Sequence, residues 1–259
     1  MTDRTPEHVV LTERRGRILV VTLNRPDARN AVDRAMASAL ASAMDRLDND
    51  PGLSVGVITG AGGYFCAGMD LKAFLRGESP RVEDRGFAGL VEAPPAKPLI
   101  AAVDGPALAG GFEIVLAADL VVAAPTATFG LPEVRRGLVA AAGGLTRLPT
   151  RLPRAVALEM ILTGAPMTAA QLHPLGLVNR LATESEILSE ALAIAETIAA
   201  NGPLAVQASK KVVVESPGWP PAEAFERTRR IVMPVFGSND AREGAAAFTE
   251  RRTPVWTGS

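Results

Sequence analysis

Two glutamates stand where a charged side chain is costly. Glu113 lies in Gly110-Gly111-Phe112-Glu113-Ile114-Val115-Leu116-Ala117-Ala118, and Glu133 closes Phe129-Gly130-Leu131-Pro132-Glu133. An ionised carboxylate among apolar neighbours has to be paired, lie at a helix N-terminus, or face a site. Each also has an ordinary structural reading: a glutamate in a first helical turn caps it, and Pro-Glu is common helix-start chemistry. Together they could divide acid and base work, provided their surroundings separate their pKa values.

Glycines supply the other half of a site. Gly110 and Gly111 open the helix that carries Glu113, where backbone N–H groups are free and no side chain blocks a ligand. Phe65-Cys66-Ala67-Gly68-Met69-Asp70 is a second small-residue turn that follows a strand. Two converging N–H donors form an oxyanion hole, in which each donor is worth roughly 2.7–4 kcal/mol of barrier. Tight turns account for such glycines equally well.

Other chemistries find less support. The 259 residues carry 27 basic and 28 acidic side chains, so no overall positive charge favours a nucleic-acid partner. A single cysteine, Cys66, and two histidines, His8 and His173, argue against a disulfide framework, a thiolate cluster or a multi-histidine metal site. Cys66, beside Phe65 and Ala67, reads as a small core residue. Gly52-Leu53-Ser54-Val55-Gly56 matches a nucleophile-elbow pattern, but a helix stop precedes it and a strand follows, the reverse of what an elbow needs. Dinucleotide and phosphate-loop fingerprints are missing. The first residues are polar, unlike a secretory signal, and the apolar run 99–124 is interrupted by Asp104, Glu113 and Asp119, so we expect a cytoplasmic chain with no membrane partner.

The elements that must hold these residues follow from periodicity. Strands are expected at Arg17–Leu23, Val55–Thr59, Leu99–Val103 and Leu120–Ala124, with a helix after Asn30, capped by Asn30 or Asp33, and another over Gly110–Ala118. Strands alternating with helices imply a parallel α/β core. Residues 76–97 read as a long loop. From Arg154 onward helical patterns dominate, with one strand at Leu177–Leu181, which divides the chain into an α/β portion, 1–185, and a helical portion, 186–259.

At these residues the sequence resembles the crotonase superfamily of enoyl-CoA hydratases and isomerases. The likeness rests on six ordered blocks: Leu23-Asn24-Arg25-Pro26 with Asn30-Ala31; Phe65 to Lys72; Ala109 to Glu113 with Ala118-Asp119; Phe129 to Glu133 through Gly143-Gly144; Gly176 to Asn179; and Glu243-Gly244 with Ala247-Phe248 and Arg251-Arg252. The resemblance implies a crotonase-like spiral of ββα units, with a helical C-terminal region that builds trimers or hexamers. It implies that Met69 and Gly110 N–H groups hold the thioester oxygen of an acyl-CoA. Ala28, Ala67, Asp70 and Leu71 would lie along the CoA, Arg29 and Lys72 near its phosphates, and Phe248 and Arg251 against the CoA of a neighbouring subunit. Both glutamates of the family's hydratases are matched, at a spacing of 20. The resemblance therefore implies hydration of a 2-enoyl-CoA, Glu113 deprotonating water and Glu133 protonating C2, with no cofactor beyond the CoA of the substrate. Double-bond isomerisation and non-catalytic acyl-CoA binding are the alternatives. Ala109 replaces the first glycine of the family's usual run, and Val139-Ala140-Ala141-Ala142 replaces a stretch that commonly contains proline.

Overall fold

A computed structural model describes residues 9–259; His8 lies outside them. Two stacks of strands run side by side. The first begins with β1 (Val10–Arg15) antiparallel to β2 (Ile18–Leu23). Parallel strands β3 (Val55–Gly60), β6 (Leu99–Val103), β8 (Leu120–Ala123) and β11 (Arg180–Leu181) then join in chain order. The central members are buried on both faces and rich in Val, Ile and Leu, as covered parallel strands must be. β1 departs from the all-parallel expectation. Its exposed Glu13, Arg14 and Arg15 hide it from a periodicity search and blunt the sheet edge it forms.

Between β3 and β6 lie the short helix α2 (Leu71–Leu75) and a hairpin of β4 (Arg81–Val82) and β5 (Gly86–Phe87). Phe87, Ala88, Leu90 and Val91 are buried, so much of the expected 76–97 loop is an ordered part of the core. The second stack joins β7 (Ala107–Leu108), β9 (Thr128–Gly130) and β10 (Met167–Thr168). It is extended by single bridges from Cys66 to Ala107 and from Met69 to Val32. Each turn of the chain thus contributes one segment to each stack, and the chemistry-bearing turns leave the second one.

Helices fill the gaps. Asp33 caps α1 (Arg34–Asn49) by accepting the Met36 N–H at 2.9 Å, and Met36, Leu40, Met44 and Leu47 bury one face. Asn30 does not cap it. The buried Asn30 has φ 55, accepts the Arg25 N–H and donates to the carbonyls of Ala61 and Tyr64. α3 (Gly110–Ala117) is buried throughout. After it come α4 (Gly144–Arg151), α5 (Arg154–Thr163), α6 (Ala169–Leu172) and α7 (Ile187–Ala199). α7 lies on the first sheet, against β2, β3, β6 and β8. α8 (Pro203–Glu215), α9 (Ala224–Phe236) and α10 (Asn239–Glu250) complete the chain, α9 packing on α8 and α10 on α9. Residues 177–179 are not strand, which leaves β11 two residues long. No helix among the described residues is long and apolar enough to cross a membrane.

α3 approaches the Cys66–Met69 turn so closely that a Cβ on Gly111 would sit 2.1 Å from the Cys66 carbonyl oxygen. Gly111→Ala therefore forces the start of α3 off that turn. We expect a stability loss of roughly 1–3 kcal/mol in urea unfolding, with activity lost more completely than stability.

Candidate active site

Glu113 does not cap its own helix. Its side chain leaves α3, and Oε1 accepts the N–H groups of Ala142 at 2.7 Å and Gly144 at 2.9 Å, at the N-terminus of α4. Only 3% of the residue is exposed. Burial pushes this carboxyl above its ordinary pKa, while the Gly144 and Ala142 N–H groups and the charge of Arg147 pull it back. Ionised Glu113 is thus supported by two donors, a helix terminus and a nearby cation. Sequence reasoning missed this anchor, since Gly143-Gly144 registers only as a glycine pair.

Glu133 stands differently. It starts the 3-10 turn Pro132–Arg136, as Pro-Glu suggests, but its Oε2 is buried with no hydrogen-bond partner. Burial raises its pKa and the charge of Glu113 raises it further, while its own backbone N–H and the charge of Arg136 offset part of this. The net shift is upward, toward holding its proton to higher pH than a free glutamate does. The structure therefore brings the two carboxyls into one electrostatic unit in which burial raises both, with Glu113 held back by the N–H groups at the start of α4 and Glu133 raised further by the charge of Glu113.

The glycine turns meet beside them. Gly68 has φ 94, and a Cβ there would lie 3.0 Å from the Gly110 nitrogen and 2.8 Å from the Ala109 Cβ. Neither the Met69 nor the Gly110 N–H donates to any acceptor among the described residues. Ala109, immediately before α3, has φ 53 and ψ −129, a conformation that costs a non-glycine residue roughly 1–3 kcal/mol. Phe87 covers Gly110 from the other side: a Cβ there would meet its ring at 2.5 Å.

The expected CoA-contact residues fall into two groups. Ala28 and Arg29 end the 3-10 turn Pro26–Ala28, the Arg29 carbonyl accepts the Ala67 N–H at 3.0 Å, and the Arg29 guanidinium lies 5.4 Å above the Tyr64 ring. Leu71 and Lys72 are exposed on α2, whereas Asp70 is committed to capping α2 and pairing with Arg25. Phe248 and Arg251 belong to the far end of the chain, Phe248 being 86% exposed. Cys66 is buried, accepts the Gly68 N–H, and has its thiol pushed up to about 12 by burial, so it is no thiolate nucleophile. Ser54 accepts a bond from Arg17, and His173 bonds the Val178 carbonyl, so among the described residues Ser54 has no histidine partner. No cluster of metal-binding side chains is found among the described residues. A surface groove of about 1270 Å³, lined by neither glutamate, lies between the C-terminal ends of α3 and α4 and the helices α8 and α9.

The chain belongs to the enoyl-CoA hydratase/isomerase family, whose pattern it matches over residues 13–259. It is similar to the crystal structure of enoyl-CoA hydratase EchA1 from Mycobacterium marinum, with a TM-score of 0.96 and 59% identity over 98% of this chain and 100% of that one. Enoyl-CoA hydratase EchA19 of Mycobacterium tuberculosis is 44% identical over 94% of each chain. Carnitinyl-CoA dehydratase of Salmonella typhi is 43% identical over 95% of this chain and 97% of its own.

Because the folded protein binds the Glu133 proton more tightly than the unfolded chain does, this carboxyl's stabilising contribution is present at low pH. It is lost as pH rises through the raised folded pKa. Glu133→Gln removes the titrating charge. We expect its Tm to exceed that of the parent at pH 8 and to approach it at pH 4, each kcal/mol appearing as about 2–4 °C.

Proposed function

We propose that the chain hydrates 2-enoyl-CoA thioesters to 3-hydroxyacyl-CoA products, and the observation that carries this is the opposed surroundings of Glu113 and Glu133. The Met69 and Gly110 N–H groups donate to the thioester oxygen. Ionised Glu113 takes a proton from water as its oxygen bonds to C3, and the π electrons move onto the thioester oxygen as an enolate. Collapse of the enolate takes the Glu133 proton at C2. Run backward, the same groups expel water, the reaction named for the carnitinyl-CoA dehydratase relative. In this reading CoA belongs to the substrate and no resident cofactor takes part. Ala28, Arg29, Ala67, Asp70, Leu71 and Lys72 flank the CoA, a placement supported by the bond between Arg29 and Ala67. The single buried cysteine suits a reducing, cytoplasmic setting.

The test is loss of conjugated thioester absorbance with short- and medium-chain 2-enoyl-CoAs. Glu113→Gln and Glu133→Gln should each lower kcat by about 10²–10⁴ with smaller changes in KM. The parent's kcat should fall on both sides of an optimum, the acid limb lying above the ordinary carboxylate range because Glu113 is raised. Undiminished turnover in both variants would sink the mechanism. Turnover of 3-enoyl-CoA without hydration would make the enzyme an isomerase.

Assembly into trimers or hexamers is part of the same reading. It is supported by Phe225, Phe236 and Phe248, exposed on α9 and α10, and by the apolar groove lined by Leu204, Val213, Val214, Ile231, Pro234 and Val235. Phe248 and Arg251 would then reach the CoA of a neighbouring subunit. Sedimentation at micromolar concentration should give three or six times the 27.0 kDa chain mass; a monomer would refute the assembly.

A further inference from the structure

Arg25 sits at the junction of three segments. Its Nη2 lies 2.9 Å from Asp70 Oδ2 and 3.1 Å from Asp33 Oδ2, while Nη1 donates to the Ala31 carbonyl. The three side chains are 18%, 13% and 16% exposed, so little water screens them. Each aspartate divides its two oxygens. Asp33 Oδ1 caps α1 through the Met36 N–H, and Asp70 Oδ1 caps α2 through the Lys72 and Ala73 N–H groups. Their other oxygens meet on one guanidinium, which therefore ties the starts of two helices together.

Met69 lies inside this clamp. The Val32 N–H donates to the Gly68 carbonyl at 2.8 Å, and the Asp70 N–H donates to the Val32 carbonyl at 2.9 Å, so Met69 is held between two bonds to one residue. Val32 itself stands between Ala31, bonded to Arg25 Nη1, and Asp33, paired with Nη2. Asp70, the next residue after Met69, closes the ring. The direction of the Met69 N–H is thus set by a loop of bonds that passes through Arg25 twice. Asn30 anchors the same turn to the body of the protein through Ala61 and Tyr64.

We infer that Arg25 is a positioning residue for the oxyanion hole: by clamping Asp33 and Asp70 it holds the Met69 N–H at the angle needed by a developing enolate oxygen. The inference rests on the proposed role of Met69. Burial works against ionised Asp70, but the Ala73 and Lys72 N–H groups and Arg25 together keep its carboxyl below the ordinary range, so the clamp stays charged near neutral pH. Arg25 touches no reacting atom in this scheme. A guanidinium suits the task because its planar fork reaches two carboxylates and a carbonyl at once, which a lysine ammonium does less well.

The readout is the absorption maximum of 4-(dimethylamino)cinnamoyl-CoA bound to the enzyme, because polarisation of the thioester carbonyl by the hole moves it to longer wavelength. The parent should show the shift. Arg25→Met should lose most of it and lower kcat about 10- to 100-fold with KM changed less than threefold; Arg25→Lys should recover part of both. Should Arg25→Met fail to fold, Asp70→Asn serves, since Asn can still accept the α2 cap bonds while breaking the ion pair. Full shift and full kcat in folded Arg25→Met, or in Asp70→Asn, would overturn the positioning role alone. A parent enzyme that binds the probe with no shift would overturn the assignment of Met69 and this inference with it.

Discussion

The site depends on backbone meeting backbone with no side chain between. At Gly111 the start of α3 lies against the Cys66 carbonyl, and at Gly68 the preceding turn lies against the Gly110 nitrogen. Only glycine permits both approaches, and at Gly68 the positive φ adds a second reason. Once these segments touch, the Met69 and Gly110 N–H groups stand close together without any side chain being committed to the task. Backbone donors of this kind undergo little reorganisation as charge develops, which makes them effective in stabilising an enolate.

The second requirement is asymmetry between two acids. Burial raises both carboxyls. What separates them is where hydrogen bonds are spent: the N-terminus of α4 gives two N–H groups to Glu113, and nothing is given to Glu133 Oε2. The negative charge held on Glu113 then raises its neighbour further. The N-terminus of α4 thus bears on both carboxyls, and α4, which contains no acid or base that reacts, is as much a part of the candidate site as α3.

Much of this was legible in the residues. The buried strands announced themselves by β-branched runs, α1 by its apolar period, and the two glutamates by their apolar surroundings. Other parts were hidden for physical reasons. β1 carries its charges on an exposed edge and so lacks a strand's pattern, and α4 holds Pro149 within its eight residues. Residues 76–97 read as loop because the order within them comes from tertiary burial of Phe87, Leu90 and Val91 and not from any local period. Glu113's partners escaped notice because they are backbone N–H groups 29 and 31 residues away, and a backbone donor leaves no residue-type signature.

An alanine at φ 53 and a buried carboxyl oxygen without a partner are both unfavourable, each by roughly 1–3 kcal/mol. They persist because the surrounding body leaves them no alternative. Ala109 is fixed by its N–H bond to Gly130 and by Phe112 and Glu113 N–H groups donating to its carbonyl; Glu133 follows Pro132 at the end of β9. Both anomalies sit within three residues of the second strand stack, whose registers tie Met167, Phe129, Ala107 and Cys66 into one ladder. A slip of that ladder would move Met69, Gly110 and Glu133 together. The stack thus serves as the rigid frame of the candidate site, and the six-stranded sheet beside it, buried along its central strands, supplies the stability that lets strain remain there.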